Sequence, residues 1–239
     1  MALDRALLEG VQAGAAPALR LYRWNSATLS LGRNQPVRGR LDRDAAAARG
    51  IDVVRRPTGG RAVLHDRELT YAVAVPIGAL GGPRASYRAV NRALVAGLRR
   101  LGVRAELAGE TASSASAALD GVCFDGPASG EVVVDGRKLV GSAQRCERRT
   151  LLQHGSILIA GDQRAVASLL GGEPEPPIAT LDALLGRDPD IGELAGAICA
   201  GFEDALGLRL HDAPEPSPDP DRVARLHERF GSEAWTWRR

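Results

Sequence analysis

The sequence predicts an α/β (α+β) domain built on a mixed, partly antiparallel sheet flanked by helices. Three observations carry that reading. Short strand-like runs stand before, between and after helical stretches. Several of these runs are joined by hairpin-type turns, Asp135-Gly136 most clearly, and such turns are foreign to a doubly wound parallel sheet. The chain also lacks a Walker A loop and has no GxGxxG following a first strand.

The elements follow in order. Ala2–Gln12 is predicted as a short helix, with Leu3, Ala6, Leu7 and Ala13 near helical spacing. Ala18–Trp24 alternates as a strand, and Ala27–Leu31 reads as its partner, ended by Gly32. Asp42–Arg49 is an alanine-rich helix stopped by Gly50. Ile51–Arg56 is a strand broken by Pro57-Thr58-Gly59-Gly60, after which Ala62–His65 and Leu69–Val75 resume extended structure. From Ser86 to Leu101, Val90, Leu94, Val95, Leu98 and Leu101 form one apolar stripe of an amphipathic helix. Glu131–Val134 and Arg137–Val140 flank Asp135-Gly136 as a type I′ hairpin that leads into the small residues Gly141-Ser142-Ala143, read as a turn. Thr150–Ile159 is a further strand. From Asp162 the pattern turns helical, interrupted by the proline-rich run Glu173–Pro177. His211–Pro220 reads as a linker before a last helix, Arg222–Phe230.

At 239 residues the chain is long enough for one substantial core. The organisation predicted is a catalytic-size domain over 1–210, a Pro/Asp-rich linker over 211–221, and a helix over 222–239 packing on the same domain. A formal net charge of +2, with both signs interspersed, speaks against a nucleic-acid-binding module. The three cysteines, Cys123, Cys146 and Cys199, form no CxxC pair, which fits a reduced, cytoplasmic setting. Charges within Met1–Glu9 interrupt any signal-peptide core, and no run reaches bilayer-spanning length, so no membrane partner is expected.

Of the 31 basic residues, only Lys138 is lysine. In a chain that otherwise uses arginine, this marks a place where a compact ammonium with rotatable donors is needed, although a leftover surface lysine is the competing reading. Three further pieces stand out. Arg55-Arg56-Pro57-Thr58-Gly59-Gly60-Arg61-Ala62-Val63-Leu64-His65 is a double-glycine loop whose backbone could approach a ligand, and its arginines would suit an anionic one. Gln153-His154-Gly155-Ser156 puts a small polar patch in an apolar strand, where a structural histidine is the commoner case. Gly121-Val122-Cys123-Phe124-Asp125-Gly126 holds a cysteine in a glycine-flanked loop.

The order and spacing of Arg55–His65, Lys138–Arg145 and Gln153–Ile157 resemble the biotin/lipoate protein ligase family. The likeness takes in Met1–Leu8, the Arg20-x-Tyr22-x-Trp24 and Ser30-Leu31-Gly32-x-x-Gln35 segments, and Phe230–Trp235. It implies a class II biotin–lipoate ligase-like catalytic domain. Arg61, where the ATP-dependent ligases show a third glycine, and Glu68-Leu69-Thr70-Tyr71 look like the cysteine-dependent octanoyltransferases. In that branch a cysteine in a Cys-Phe loop precedes the essential lysine by fifteen residues, the separation of Cys123 and Lys138. The resemblance therefore implies Cys123 as acyl-thioester nucleophile and Lys138 as the group that lowers its pKa. Arg56, Thr58, Gly59, Gly60, Arg61, Ala62, His65, Gly141, Ser142, Ala143, Gln144, His154 and Gly155 are expected to bind substrate, with no metal.

Physical chemistry permits that division. Bringing a thiol from about 8.5 to about 7 takes roughly 2 kcal/mol. An ammonium about 5 Å away, at an effective dielectric of about 20, supplies up to roughly 3 kcal/mol before desolvation losses. The expected partners are octanoyl-acyl carrier protein and a lipoyl-acceptor protein, either a glycine cleavage H protein or a dehydrogenase E2 lipoyl domain. No cofactor is expected. Three alternatives stay open: an ATP- and Mg-dependent lipoate or biotin ligase working through an acyl-adenylate, an amidotransferase between lipoylated proteins, and a catalytically silent lipoyl-domain binder.

Overall fold

A computed structural model of the chain describes residues 1–37, 39–109, 129–171, 178–213 and 219–238. The first helix, α1 (Ala2–Gln12), has the predicted bounds. It is followed by β1 (Ala18–Tyr22), β2 (Thr28–Leu31), α2 (Arg43–Ala48), β3 (Asp52–Arg55), β4 (Val63–His65), β5 (Glu68–Pro76) and α3 (Pro83–Arg100). The second half holds β6 (Glu106–Leu107), β7 (Val132–Val134), β8 (Arg137–Glu147), β9 (Thr150–Leu158), α4 (Arg164–Leu170), α5 (Leu181–Leu185), α6 (Ile191–Leu206), α7 (Pro220–Gly231) and α8 (Glu233–Thr236).

Among the described residues, six strands form one sheet in the order β1-β5-β9-β8-β7-β6, every neighbouring pair antiparallel. Three more form a small sheet, β3-β2-β4, with β2 parallel to β3 and antiparallel to β4. The mixed character of the fold thus resides in the small sheet. Ala27–Leu31, expected as the partner of Ala18–Trp24, does not pair with it: β1 pairs with β5, and β2 with β3 and β4. Burial explains the difference. All four residues of β2 are buried, which calls for strands on both sides, whereas β1 is only half-buried throughout and suits a sheet edge.

Helices cover both faces of the large sheet. On one face, Leu69, Tyr71, Val73 and Val75 of β5, with Leu151 and Ile157 of β9, pack against Val90, Leu94 and Leu98 of α3 and Leu194, Ile198 and Phe202 of α6. The period-2 spacing of the strand residues and the 3–4 spacing of the helix residues are what join these layers. On the other face, α1 sets Leu7 and Val11 against Ala74, and Leu8 against Ala72 and Leu152. The α7 helix then rests on α1 through Leu226, Phe230 and Ala6. A separate cluster of Leu29, Leu31, Val37, Ala62, Val166 and Leu169 joins the small sheet to α2 and α4. Among the described residues, no helix is long and apolar enough to cross a membrane.

The β7–β8 turn is the one the sequence called for. Asp135 and Gly136 both adopt positive φ, 49° and 72°, as a type I′ turn requires. Gly141-Ser142-Ala143, expected as a turn, instead continues β8, which pairs residue for residue with β9 from Val140 to Glu147. The small residues serve close approach between strands. A Cβ on Gly155 would stand 2.1 Å from the Gly141 carbonyl oxygen and 2.8 Å from Tyr71 Cε1.

Candidate active site

The glycine loop between β3 and β4 folds over the β8–β9 small-residue patch and encloses a cleft of about 330 Å³, counted out to its open mouth. Tyr22, Thr70, Gly141–Ala143 and His154–Ser156 of the large sheet line it together with Ser30, Val63 and His65 of the small sheet, Trp24 and Arg56. Two hydrogen-bonded chains, each centred on a buried histidine, hold these walls.

In the first chain, Ser30 Oγ lies 2.7 Å from His65 Nε2, and His65 Nδ1 lies 2.8 Å from Glu68 Oε1. Thr70 donates to the same Glu68 oxygen and accepts from Trp24 Nε1 at 2.9 Å. The Trp24 ring stacks on His65 with centroids 4.3 Å apart and planes inclined by 15°. Strand alternation explains the grouping: Glu68 and Thr70 sit two apart on one face of β5, opposite Ser156, whose Oγ reaches His65 Nδ1 at 3.1 Å.

In the second chain, Asp4 of α1 accepts from Arg20 at 2.9 Å and from the Tyr22 hydroxyl at 2.9 Å, and lies 3.1 Å from His154 Nδ1. His154 Nε2 lies 2.6 Å from Thr58 Oγ1. Burial lowers the His154 pKa, against the opposing pull of Asp4, and so favours the neutral ring. Burial opposes ionisation of Asp4, but nearby positive charge and His154 outweigh it and hold the carboxyl well below the usual range. An ionised Asp4 requires a donor at Nδ1, which leaves Nε2 to accept from the Thr58 hydroxyl. The protonation pattern of the loop's main anchor is thereby set from α1.

Arginine fixes the loop backbone. Arg56 donates to Ser30 O at 2.9 Å, Gly59 O at 2.9 Å and Arg61 O at 2.5 Å. Arg55, fully buried, donates to Gly32 O at 2.6 Å, Gln35 O at 2.8 Å and Thr236 O at 2.8 Å. Trp235 Nε1 returns a bond to the Arg55 carbonyl at 2.7 Å. These two guanidiniums, which the sequence reading offered to an anionic ligand, hold main-chain carbonyls. Gly32 meets the loop so closely that a Cβ there would stand 1.7 Å from Gly60 O, and Gly60 itself has φ of 88°.

Of the residues predicted to bind substrate, Arg56, His65, Gly141, Ser142, Ala143, His154 and Gly155 line the one cleft, and Thr58 contacts it through His154. Gly59, Gly60 and Arg61 form the loop above it. Ala62 points into the small core with Leu29 and Leu31. Gln144 bonds to Gln153 at 3.3 Å and to Pro83 O at 3.1 Å, outside the lining. Arg145 pairs with Glu147 and donates to Pro57 O at 2.9 Å. Behind the cleft, Tyr71 OH lies 2.7 Å from Ser142 Oγ, and Gln153 Nε2 donates to Tyr71 OH and to Asn91 Oδ1, each at 3.1 Å.

Lys138 lies earlier on β8 and is buried. Its Nζ donates to Glu131 Oε1 at 2.7 Å. Cys123, with the rest of its Gly121–Gly126 loop, lies outside the described residues. The sequence reading gave no role to Asp4, Glu68, Asn91 or Glu131. Glu68 was visible in the motif after the glycine loop, whereas the other three carry no local signal.

A sequence model of the lipoyl protein ligase A/B catalytic domain matches residues 1–203. Over 257 aligned positions the chain is 38% identical to an octanoyltransferase, LipM, of Kyrpidia tusciae, covering 100% of this chain and 94% of that protein. The octanoyltransferase LipM of Staphylococcus aureus is 34% identical over 259 positions, with 100% and 94% covered. Among solved structures, a lipoate-protein ligase A bound with ATP superposes with a TM-score of 0.81 at 24% identity, covering 99% of this chain and 92% of that one. A Thermoplasma acidophilum protein solved with bound lipoic acid gives 0.80 at 24% identity, with 100% and 92% covered. At that identity the two structures speak for the fold.

Proposed function

The chain belongs to the lipoyl protein ligase A/B catalytic domain family, where it is an octanoyltransferase, and we propose that it moves the acyl group through a thioester on Cys123. The donor is octanoyl-acyl carrier protein and the acceptor is a lysine of a lipoyl domain, in a glycine cleavage H protein or a dehydrogenase E2 subunit. The observation that carries this reading is the full-length likeness to the LipM octanoyltransferases, at 34–38% identity. The Cys123-Phe124 pair, fifteen residues before Lys138, supports the covalent route.

In the first step the Cys123 thiolate attacks the donor thioester. A C–S bond forms to Cys123, the carrier's C–S bond breaks, and the carrier sulfur leaves as a thiolate that takes its proton from solvent. In the second, the acceptor amine forms a C–N bond, the C–S bond to Cys123 breaks, and a nitrogen proton passes to the departing sulfur. One thioester replaces another and then becomes an amide, so the chemistry runs downhill without ATP. The Lys138 ammonium supplies positive charge to the thiolate and then to the acyl oxygen. Arg56, Thr58, His65, Gly141–Ala143, His154 and Gly155 form the walls that receive the octanoyl thioester, beneath Gly59–Arg61. Burying the acyl chain contributes about 0.8 kcal/mol per methylene.

The test is intact mass after mixing the protein with octanoyl-acyl carrier protein without ATP. The expected result is a hydroxylamine-sensitive octanoyl adduct that is absent in Cys123→Ala. Acceptor modification that requires ATP and survives Cys123→Ala would replace this reading with an adenylating ligase.

A further inference from the structure

The inference rests on the thioester reading and concerns the residue that acts on Lys138. Lys138 Nζ and Glu131 Oε1 are 2.7 Å apart, with side chains 4% and 8% exposed. A buried ion pair is seldom more stabilising than an apolar pair of the same volume, so stability is a weak reason to keep one here.

The pair is also held from several sides. Glu131 O accepts from Ala108 N at 2.8 Å, and the preceding Gly130 carbonyl accepts from Asn91 Nδ2 at 2.7 Å. Lys138 O accepts from Ala179 N at 2.9 Å. A register shift between Val132 and Val133 separates the Val132–Val140 pairing from the Val133–Lys138 pairing, the kind of irregularity that re-aims a side chain. Asn91 connects this corner to the cleft, since its Oδ1 accepts from Gln153 at 3.1 Å and from Ser142 at 3.4 Å.

We infer that Glu131 is a positioning residue, a standing counter-charge that holds the Lys138 ammonium in place while the charge on Cys123 comes and goes. Before acylation the thiolate itself balances the ammonium. Once Cys123 carries the acyl group that negative charge is gone, and a buried ammonium keeps its charge and its aim more readily beside an anion. Glu131 supplies it during the second step, when the acceptor amine attacks the acyl carbon, displaces the Cys123 sulfur and passes it a proton.

The test separates the two half-reactions in the full chain. Octanoyl-acyl carrier protein is the donor, a lipoyl-acceptor domain is the acceptor, and rapid quench with intact mass is the readout. In Glu131→Gln, acylation of Cys123 should stay within about 3-fold of the parent, and transfer to the acceptor should slow at least about 10-fold, so that octanoyl-Cys123 accumulates. Glu131→Asp keeps the carboxylate and should recover most of the second step. It also carries the test if Glu131→Gln does not fold, with a smaller slowing confined to transfer. A general structural role would slow both steps together, or lower stability while leaving their ratio unchanged, and either result overturns the inference. So does normal transfer by Glu131→Gln. If the parent itself forms no octanoyl-Cys123, the thioester reading fails and the inference falls with it.

Discussion

Replacing Thr58 with valine removes one hydroxyl and keeps the side-chain shape at a fully buried position. The lost bond is the 2.6 Å contact with His154 Nε2, which anchors the glycine loop to β9. His154 has no easy escape. Burial disfavours its cationic form, and turning the ring would break its 3.1 Å contact with Asp4. The variant therefore leaves a buried acceptor without its donor, at a cost of about 1–3 kcal/mol. For a chain of this size each kcal/mol lowers Tm by about 2–4 °C, so the central expectation is a fall of about 4–8 °C. Thermal unfolding by circular dichroism measures it, with Thr58→Ser expected to recover much of the loss because it keeps the hydroxyl. A Thr58→Val protein melting within about 1 °C of the parent would refute the reasoning, since it would mean that the loop does not depend on this bond.

Three further outcomes are expected. Gly155→Ala, whose Cβ would stand 2.1 Å from Gly141 O, should force β8 from β9, lowering stability by about 1–3 kcal/mol in chemical denaturation and slowing formation of the Cys123 adduct. Lys138→Arg should stay folded by circular dichroism yet acylate Cys123 at least about 10-fold more slowly, because a planar guanidinium cannot take the place of an ammonium set 2.7 Å from Glu131; near-normal acylation would count against the lone lysine. Glu147 joins Arg5 of α1 to Arg145 of β8, and the Arg5 hydrogen bonds lead in holding its pKa down from about 4.5 to about 2. A depressed folded value means that its contribution is present above about pH 4.5 and lost as pH falls toward 2. With 22% of the side chain exposed this amounts to about 1–2 kcal/mol, and Glu147→Gln should flatten that part of the acid-unfolding curve.

Much of the fold was legible because its signals are local. The α1 stripe, the Asp135-Gly136 turn and the alternation of Leu69–Val75 each follow from a few neighbouring residues. The division into two sheets was not legible. Whether β2 pairs with β1 or with β3 and β4 depends on what covers it, which no short window records. Gly141–Ala143 was misread for a related reason: glycine and serine favour turns and alanine is poor in strands by propensity, and here β9 imposes the strand. In the site, the glycine loop, His65 and His154 stood out by motif. Asp4 read only as one of the charges that interrupt a signal-peptide core, yet it meets His154 across 150 positions. Glu131 read as an ordinary strand residue, because its partner Lys138 lies on the far side of a hairpin.

The clasp between Arg55 and Thr236 bears on when the cleft is finished during synthesis. It spans 181 positions, and at 5–20 residues per second the ribosome needs roughly 9–36 s to travel that far. Through that interval β3 can already lie against β2, while the Arg55 guanidinium beneath the glycine loop still lacks its carbonyl on α8. The loop's final backing therefore arrives 181 positions after Arg55 itself. A nascent chain should resist protease across the large sheet well before it can hold an acyl chain, and trimming a few residues near position 236 should leave a folded body with a slack cleft.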